Sequence, residues 1–284
     1  MFKSHKNIVN IFIHILILFI ILFATSCGRS DDNALMIMGS TALQPLAEKA
    51  AAMFMTDFPE SNIQVQGGGS GNGLTAVRAK NAQIGNSDIF AEDKNGFDSS
   101  DLIDHKVAVV GFAVIANKGV GIDNVSSKQL TDLFTGKITN WKEIGGNNVP
   151  VVIVSRPASS GTRLTFEKYA LNGATEIAGK ALTQDSSGTV VKTVMDTEGA
   201  VSYVGLTYVK GDGSLKVLKV DGVEPSPENI ASGKYQIWAY EHMYTNGYAK
   251  GITKEYIDYI MSDKVKPYIE KLDYIPISDM KVER

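Results

Sequence analysis

Short apolar runs alternate with segments of helical periodicity along most of this chain. Apolar runs bounded by glycine, asparagine or serine predict strands at 34–40, 62–66, 149–155 and 200–206, a strand and turn at 82–90, and either a buried strand pair or one long strand at 106–117. Apolar residues at helical spacing predict helices at 43–58, 74–82, 126–136 and 161–171, one after 225–227, and two within 252–272. A more polar segment, 214–222, predicts an exposed hairpin-like element. This alternation is typical of α/β proteins, and we expect mixed, mainly parallel sheets with helices on both faces.

The N-terminal residues predict an export signal that takes no part in the fold. Two lysines precede a long apolar run that ends at Cys27, the only cysteine in the chain. A membrane-spanning helix is the alternative, because the run is nearly long enough for one. The small residues directly before Cys27 favour a lipoprotein signal, in which the cysteine is lipidated and becomes the mature N-terminus. We therefore expect a signal peptide at 1–26, a lipidated tether at 27–34 and anchorage to the outer face of the cell membrane.

The charge of the mature chain limits its partners. Removing the first 26 residues takes away two lysines and no acid, so 26 cationic side chains face 31 acidic ones, a formal charge of −5. This excess of acid argues against nucleic acid as a partner, and a bound anion would need local donors. No second cysteine and no His, Cys and carboxylate cluster at ligand spacing occurs, so we predict no disulfide, no metal and no cofactor.

Three predicted strands run directly into Gly, Ser and Thr turns that open helices. These turns lie at 39–41, 67–73 and 155–163. The first N–H groups of a helix have no partner within it, and the helix dipole is positive there, so such turns bind phosphate-like anions. Ordinary capping by serine or threonine explains any one of them alone. Three turns of one kind, the last with an arginine, predict convergence on a single anion.

A carboxylate follows a further predicted strand, at Ser87 and Asp88. A carboxylate only accepts hydrogen bonds, so Asp88 would accept one from a protonated oxyanion such as phosphate and would repel bare sulfate. Arg156 would then neutralise Asp88 and donate to the same ligand. Taken alone, Asp88 has a simpler explanation as a cap of a turn or helix.

Six motifs follow one another along the mature chain: GSTALQP, GGGSGNGL, IGNSDIF, ITNWKEIGG, SRPASSGT and VSYVGL. In this order they resemble the phosphate-binding lipoproteins that serve as the substrate-binding component of bacterial Pst-type phosphate ABC importers. The resemblance covers nearly the whole mature chain. It implies a two-lobe, Venus-flytrap fold like that of periplasmic binding proteins, with phosphate between the lobes. We place lobe I at 35–112 plus 237–284 and lobe II at 113–236, joined by two crossovers.

The resemblance also implies which residues hold the ligand. The implied phosphate-binding residues are Thr41, Ala42 through its backbone N–H, Ser70, Asp88, Arg156, Ser160, Gly161 and Thr162. Their expected neighbours are Ser40, Gly71 and Ser87. In this assignment Asp88 accepts the phosphate proton and Arg156 supplies the ion pair. The implied partners are inorganic phosphate and the permease and ATPase subunits of an ABC importer, and we expect a monomeric binding protein that is not an enzyme.

Other functions remain open at this stage. A hydrolase would need Ser70 or Ser160 as nucleophile, yet Asn72 stands where a serine elbow needs its second glycine, and His105 and His242 show no triad spacing. A weak dinucleotide fingerprint begins in the second glycine loop, and no glycine loop carries a Walker lysine. The alternative nearest in chemistry is a binder of another tetrahedral oxyanion, such as molybdate, sulfate or phosphonate.

Overall fold

The structure is a computed structural model that describes residues 33–177, 181–209, 211 and 213–284. The predicted signal peptide, Cys27 and most of the predicted tether lie outside these residues. Within the described ranges, no helix has both the length and the apolar character that crossing a membrane requires.

The elements alternate along the chain as the hydrophobic pattern predicts. The strands are β1 (Ala34–Gly39), β2 (Asn62–Gln66), β3 (Ile84–Ser87), β4 (Leu102–Ala116), β5 (Asn124–Val125), β6 (Val152–Ser155), β7 (Leu182–Thr183), β8 (Ala200–Gly205), β9 (Lys216–Val220), β10 (Trp238–Asn246) and β11 (Tyr274–Ile275). The helices are α1 (Gln44–Asp57), α2 (Ser70–Arg78), α3 (Ser127–Phe134), α4 (Gly161–Tyr169), α5 (Ser187–Asp196), α6 (Pro227–Ala231), α7 (Gly251–Ile260) and α8 (Lys266–Lys271).

Strand β4 connects two groups of strands. On one side the order is β2, β1, β3, β10, with parallel pairing among the first three and antiparallel pairing of β10 to β3 and β4. On the other side β4 pairs antiparallel with β8 and β9, and β8, β6 and β7 pair in parallel. The partner of β4 changes from β10 to β8 between Gly111 and Phe112. The two-lobe boundaries at 112 and 236 stay predictions.

Local sequence explains where several elements begin and end. The face of α1 that carries Leu46, Ala50 and Phe54 is buried, as its helical spacing predicts. Helix α3 opens with a capping box, in which Ser126 and Gln129 satisfy each other's backbone N–H groups. Buried side chains from both groups of strands form one continuous apolar core.

The structure differs from three of the sequence-based expectations. Helix α2 begins inside the glycine loop rather than at 74, because Gly69 adopts a positive φ of 89° that turns the chain directly into the helix. The predicted exposed hairpin at 214–222 is wrong, since β9 pairs with β4 and β5 and is half-buried. Helix α5 and strand β10 were not predicted. The β-branched residues of α5 disfavour a helix locally, and Glu241 and His242 interrupt the apolar pattern of β10.

Candidate anion-binding site

The predicted site residues come together where the strand ends meet. Gly71, at the start of α2, donates its N–H to the carbonyl oxygen of Ser159, next to the start of α4, over 2.9 Å. Thr41, just before α1, lies 3.1 Å from Ser187 at the start of α5, oxygen to oxygen. Thr41 also lies beside the glycine loop before α2, since a Cβ on Gly67 would be 2.9 Å from Thr41 Cγ2. The N-termini of four helices therefore lie together, although they are widely separated in sequence.

Asp88 lies between two of these helix starts and is 3% exposed. Its backbone N–H donates to Ser70 Oγ over 3.0 Å. Its Oδ2 accepts a 2.7 Å hydrogen bond from Thr162 Oγ1. Its Oδ1 has no hydrogen-bond partner among the described residues. Because a buried acceptor without a donor is costly, this oxygen is suited to accept a hydrogen bond from a protonated ligand.

Arg156 is a buried cation, and one nitrogen of its guanidinium has no hydrogen-bond partner among the described residues. Its guanidinium donates to the carbonyl oxygens of Gln184 and Asp185, each over 3.0 Å, and to Thr41 Oγ1 over 3.2 Å. In the described part of the chain, Nη1 has no partner. Burial lowers the pKa of Arg156, but the guanidinium of an arginine stays charged in proteins. The site therefore holds a fixed positive charge with free donor capacity.

The start of α4 approaches α2 so closely that only glycine fits at Gly161. A Cβ at this position would lie 2.2 Å from Ser70 Oγ and 3.2 Å from Asp88 Cβ. Ser160 is buried beside it and caps α4 by accepting the backbone N–H of Arg163 over 3.3 Å. Glycine is required here because two chain segments touch, rather than because of backbone conformation.

Several predicted neighbours bond within the protein in this structure. Ser40 Oγ accepts the backbone N–H of Ala42 over 2.9 Å, so this N–H is already engaged. The Ser87 hydroxyl donates to the carbonyl oxygen of Ile89 over 2.8 Å. With the Gly71 contact described above, these bonds hold the loops in shape. A direct contact of Ala42 with the ligand stays a prediction.

The sequence analysis missed Ser187, which is fully buried against Thr41. Its helix, α5, opens with the tetrapeptide Ser-Ser-Gly-Thr at 186–189, identical to the one at 159–162 that opens α4. A search for repeats of the third turn would have found this fourth helix N-terminus. Ser187 therefore joins the predicted set as a neighbour of the site.

The other chemistries considered for this chain gain no geometric support. His105 Nε2 lies 3.2 Å from Thr245 Oγ1, and His242 Nδ1 lies 2.8 Å from Asp104 Oδ1. Neither ring bonds to a candidate nucleophilic serine within the described ranges. In the same ranges no three His, Cys, Asp or Glu side chains gather as a metal site would require.

Comparison with known proteins agrees with this geometry. A family model described as a PBP superfamily domain matches residues 25–264. The chain is 45% identical over 280 residues to the phosphate-binding protein PstS of Bacillus subtilis (strain 168), which covers 93% of this chain and 92% of that protein.

Two solved structures share the fold. One, from Clostridium perfringens, is described as a phosphate ABC transporter substrate-binding protein with bound phosphate; it is 31% identical, with a TM-score of 0.79 over 86% of this chain and 100% of that chain. The other is an ABC-type phosphate transport receptor from Vibrio cholerae, 28% identical, with a TM-score of 0.69 over 85% of this chain and 99% of that chain. The predicted α/β fold of periplasmic-binding-protein type is thereby confirmed. The chain belongs to the PBP superfamily and, within it, to the family of PstS phosphate-binding proteins.

Proposed function

We propose that this protein is an extracytoplasmic receptor that captures inorganic phosphate between two lobes and delivers it to an ABC importer. The observation that carries the proposal is a pair of complementary atoms without partners in the described residues. Arg156 Nη1 is a charged donor and Asp88 Oδ1 is an acceptor, and both are buried where four helix N-termini meet. Phosphate needs both, because it is an anion that still carries a proton near neutral pH.

The proposed mechanism is capture, closure and delivery. Arg156 gives the ion pair, Asp88 accepts the phosphate proton, and the buried hydroxyl groups and N–H groups at the starts of α1, α2 and α4 donate to the remaining oxygens. The ligand stabilises the closed form because it contacts residues of both predicted lobes, and the permease recognises that form. No bond is made or broken, so the protein acts as a binding protein and not as an enzyme.

We further propose that the mature protein is a monomer tethered by a lipid on Cys27. The tether would hold the receptor at the outer face of the membrane, beside the permease and ATPase subunits that receive its cargo. Mass spectrometry of the membrane-extracted protein tests this point. A mature N-terminus other than a lipidated Cys27 contradicts it.

Calorimetric titration of the soluble mature domain, first with phosphate and then with sulfate, tests the function. We expect tight binding of phosphate and little or no heat with sulfate, because a site that pairs with a ligand proton rejects an analogue without one by roughly 10⁴-fold. Equal affinity for both ions would contradict the role of Asp88. Steady hydrolysis of a phosphate ester would instead favour an enzyme.

A further inference from the structure

A second carboxyl group, which the phosphate site as described does not use, lies beside Asp88. Glu241 of β10 is fully buried. Neither of its carboxyl oxygens has a hydrogen-bond partner of ordinary geometry within the residues that the structure describes. A buried, unpartnered carboxyl group is expensive, so its presence calls for an interaction that this state of the protein leaves unmade.

The strand register brings Glu241 close to Asp88. Strand β10 runs antiparallel to β3, whose last residue, Ser87, pairs with His242. Asp88 is the next residue after β3 and Glu241 is the next residue along β10, and the two carboxyl groups interact electrostatically. The register of β10 with β4 shifts between Glu241 and His242, where Val107 of β4 is the extra, unpaired residue, so the alternation of side chains along β10 is kept.

The two faces of β10 are chemically distinct. Four rings follow one another in contact along one face: Trp238, Tyr240, His242 and Tyr244. Because neighbouring side chains alternate between faces, Glu241 points to the opposite face. The carboxyl group is therefore directed away from the aromatic face and toward the phosphate site.

Among the residues that the structure describes, no cation contributes to the shifted pKa of Glu241. The titratable groups that interact with it are the carboxyl of Asp88 and the hydroxyls of Tyr208 and Tyr274, and its partner on β4 is Ala108. Burial, followed by the negative charge of Asp88, raises the pKa of Glu241 well above its usual range. Two carboxyl groups that share a buried site do not both ionise readily, so Glu241 is the one that keeps its proton.

We propose that Glu241 is a positioning residue of the phosphate site: its protonated carboxyl donates a hydrogen bond to Asp88 and holds that carboxylate as an acceptor for the ligand. The inference rests on the proposed phosphate-binding function. With Glu241 neutral, the buried site carries one negative charge at Asp88 and one positive charge at Arg156 before phosphate enters. An ionised Glu241 would add a second negative charge and repel the anion, so phosphate affinity depends on this proton.

The test compares Glu241→Gln with Glu241→Leu. Glutamine keeps a neutral donor but cannot ionise, whereas leucine keeps the volume and removes the donor. Glu255→Gln, at an exposed position on α7, is the matched control. Dissociation constants for phosphate and sulfate are measured by calorimetry from about pH 5 to pH 9, and melting temperatures without ligand report folding.

We expect Glu241→Leu to bind phosphate about 10- to 150-fold more weakly, the range for one lost hydrogen bond to a charged group. The dissociation constant of Glu241→Gln for phosphate should stay within about threefold of the parent's at low pH. At high pH the variant should bind phosphate more tightly than the parent. The control should follow the parent profile throughout.

Several outcomes would overturn the inference. If the parent binds phosphate and a folded Glu241→Leu variant binds it with equal affinity, the carboxyl group has no role in binding. Failure of glutamine to rescue binding at low pH leads to the same conclusion. If the leucine variant does not fold, a Glu241→Gln profile that superimposes on the parent's up to about pH 9 rejects the inference. Absence of phosphate binding by the parent rejects the proposed function instead.

Discussion

Replacement of Arg156 by methionine tests the centre of the site. The change keeps an unbranched side chain that can fill much of the same space, but it removes the guanidinium nitrogen Nη1, a charged and buried donor that has no partner among the described residues. It also removes the hydrogen bonds to the carbonyl oxygens of Gln184 and Asp185 and to Thr41 Oγ1. The ligand-binding effect and the structural effect can therefore be estimated separately.

The ligand loses at least one charge-assisted hydrogen bond, from Nη1. Such a bond is worth about 1.5–3 kcal/mol, which corresponds to a dissociation constant weaker by about 10- to 150-fold. Without ligand, two carbonyl oxygens lose a donor, which is destabilising, but the cost of burying a cation that is 1% exposed disappears. Because these two effects on stability oppose each other, the free energy of unfolding should change less than the free energy of phosphate binding.

Calorimetry with phosphate and thermal melting without ligand are the two measurements. Arg78→Met is the control, because Arg78 pairs with Asp98 and Asp101 on the surface, where ion pairs contribute little. We expect the control to bind phosphate like the parent. Phosphate binding by a folded Arg156→Met variant with parental affinity would refute the assignment of the site.

Three further predictions each concern one side chain. Asp88→Asn replaces a pure acceptor with an amide that also donates, so phosphate binding should weaken about 10-fold or more while sulfate binding strengthens. Competition calorimetry measures both dissociation constants. An unchanged ratio of the phosphate constant to the sulfate constant would contradict the role of Asp88. Gly161→Ala would place a Cβ 2.2 Å from Ser70 Oγ, so α4 must shift, and phosphate binding should lose about 1–3 kcal/mol of free energy. A calorimetric titration that matches the parent would show that the site accommodates a methyl group at this position. Burial raises the pKa of Glu176, despite hydrogen bonds from Ser155 and Tyr203, so the folded state holds an extra proton and stability falls as pH rises above about 4.3. The urea midpoint of Glu176→Gln should therefore fall less between about pH 4.5 and pH 7.5 than that of the parent, and parallel curves would argue against a raised pKa.

The local hydrophobic pattern predicted many of the strands and helices. Strand β1 and helix α1 follow from period-2 and period-3.6 patterns whose buried positions match the structure. Strand β10 and helix α5 escaped the same reasoning. In β10 all but the last residue are buried, including a carboxyl and an imidazole, which an alternating pattern does not anticipate. In α5 the packing of Val190 and Val194 against the core outweighs a weak helix propensity.

The chemistry of the site was largely readable from the chain. Glycine and serine turns that open helices attract anions wherever they fold, and an aspartate with an arginine narrows the ligand to a protonated oxyanion. Local residue types carry these properties, so they were enough to predict an anion site, and the resemblance to phosphate-binding lipoproteins supplied phosphate as the ligand.

Only the tertiary structure decided which polar groups remain free. In the structure Arg156 donates hydrogen bonds to the two carbonyl oxygens after β7, and its Nη1 has no partner among the described residues. The N–H of Ala42 donates to Ser40 Oγ. The tertiary structure also brings Ser187 to Thr41, 146 positions away along the chain, and sets Glu241 beside Asp88. Hydrogen-bond satisfaction depends on distances between segments remote in sequence, so no local pattern can specify it.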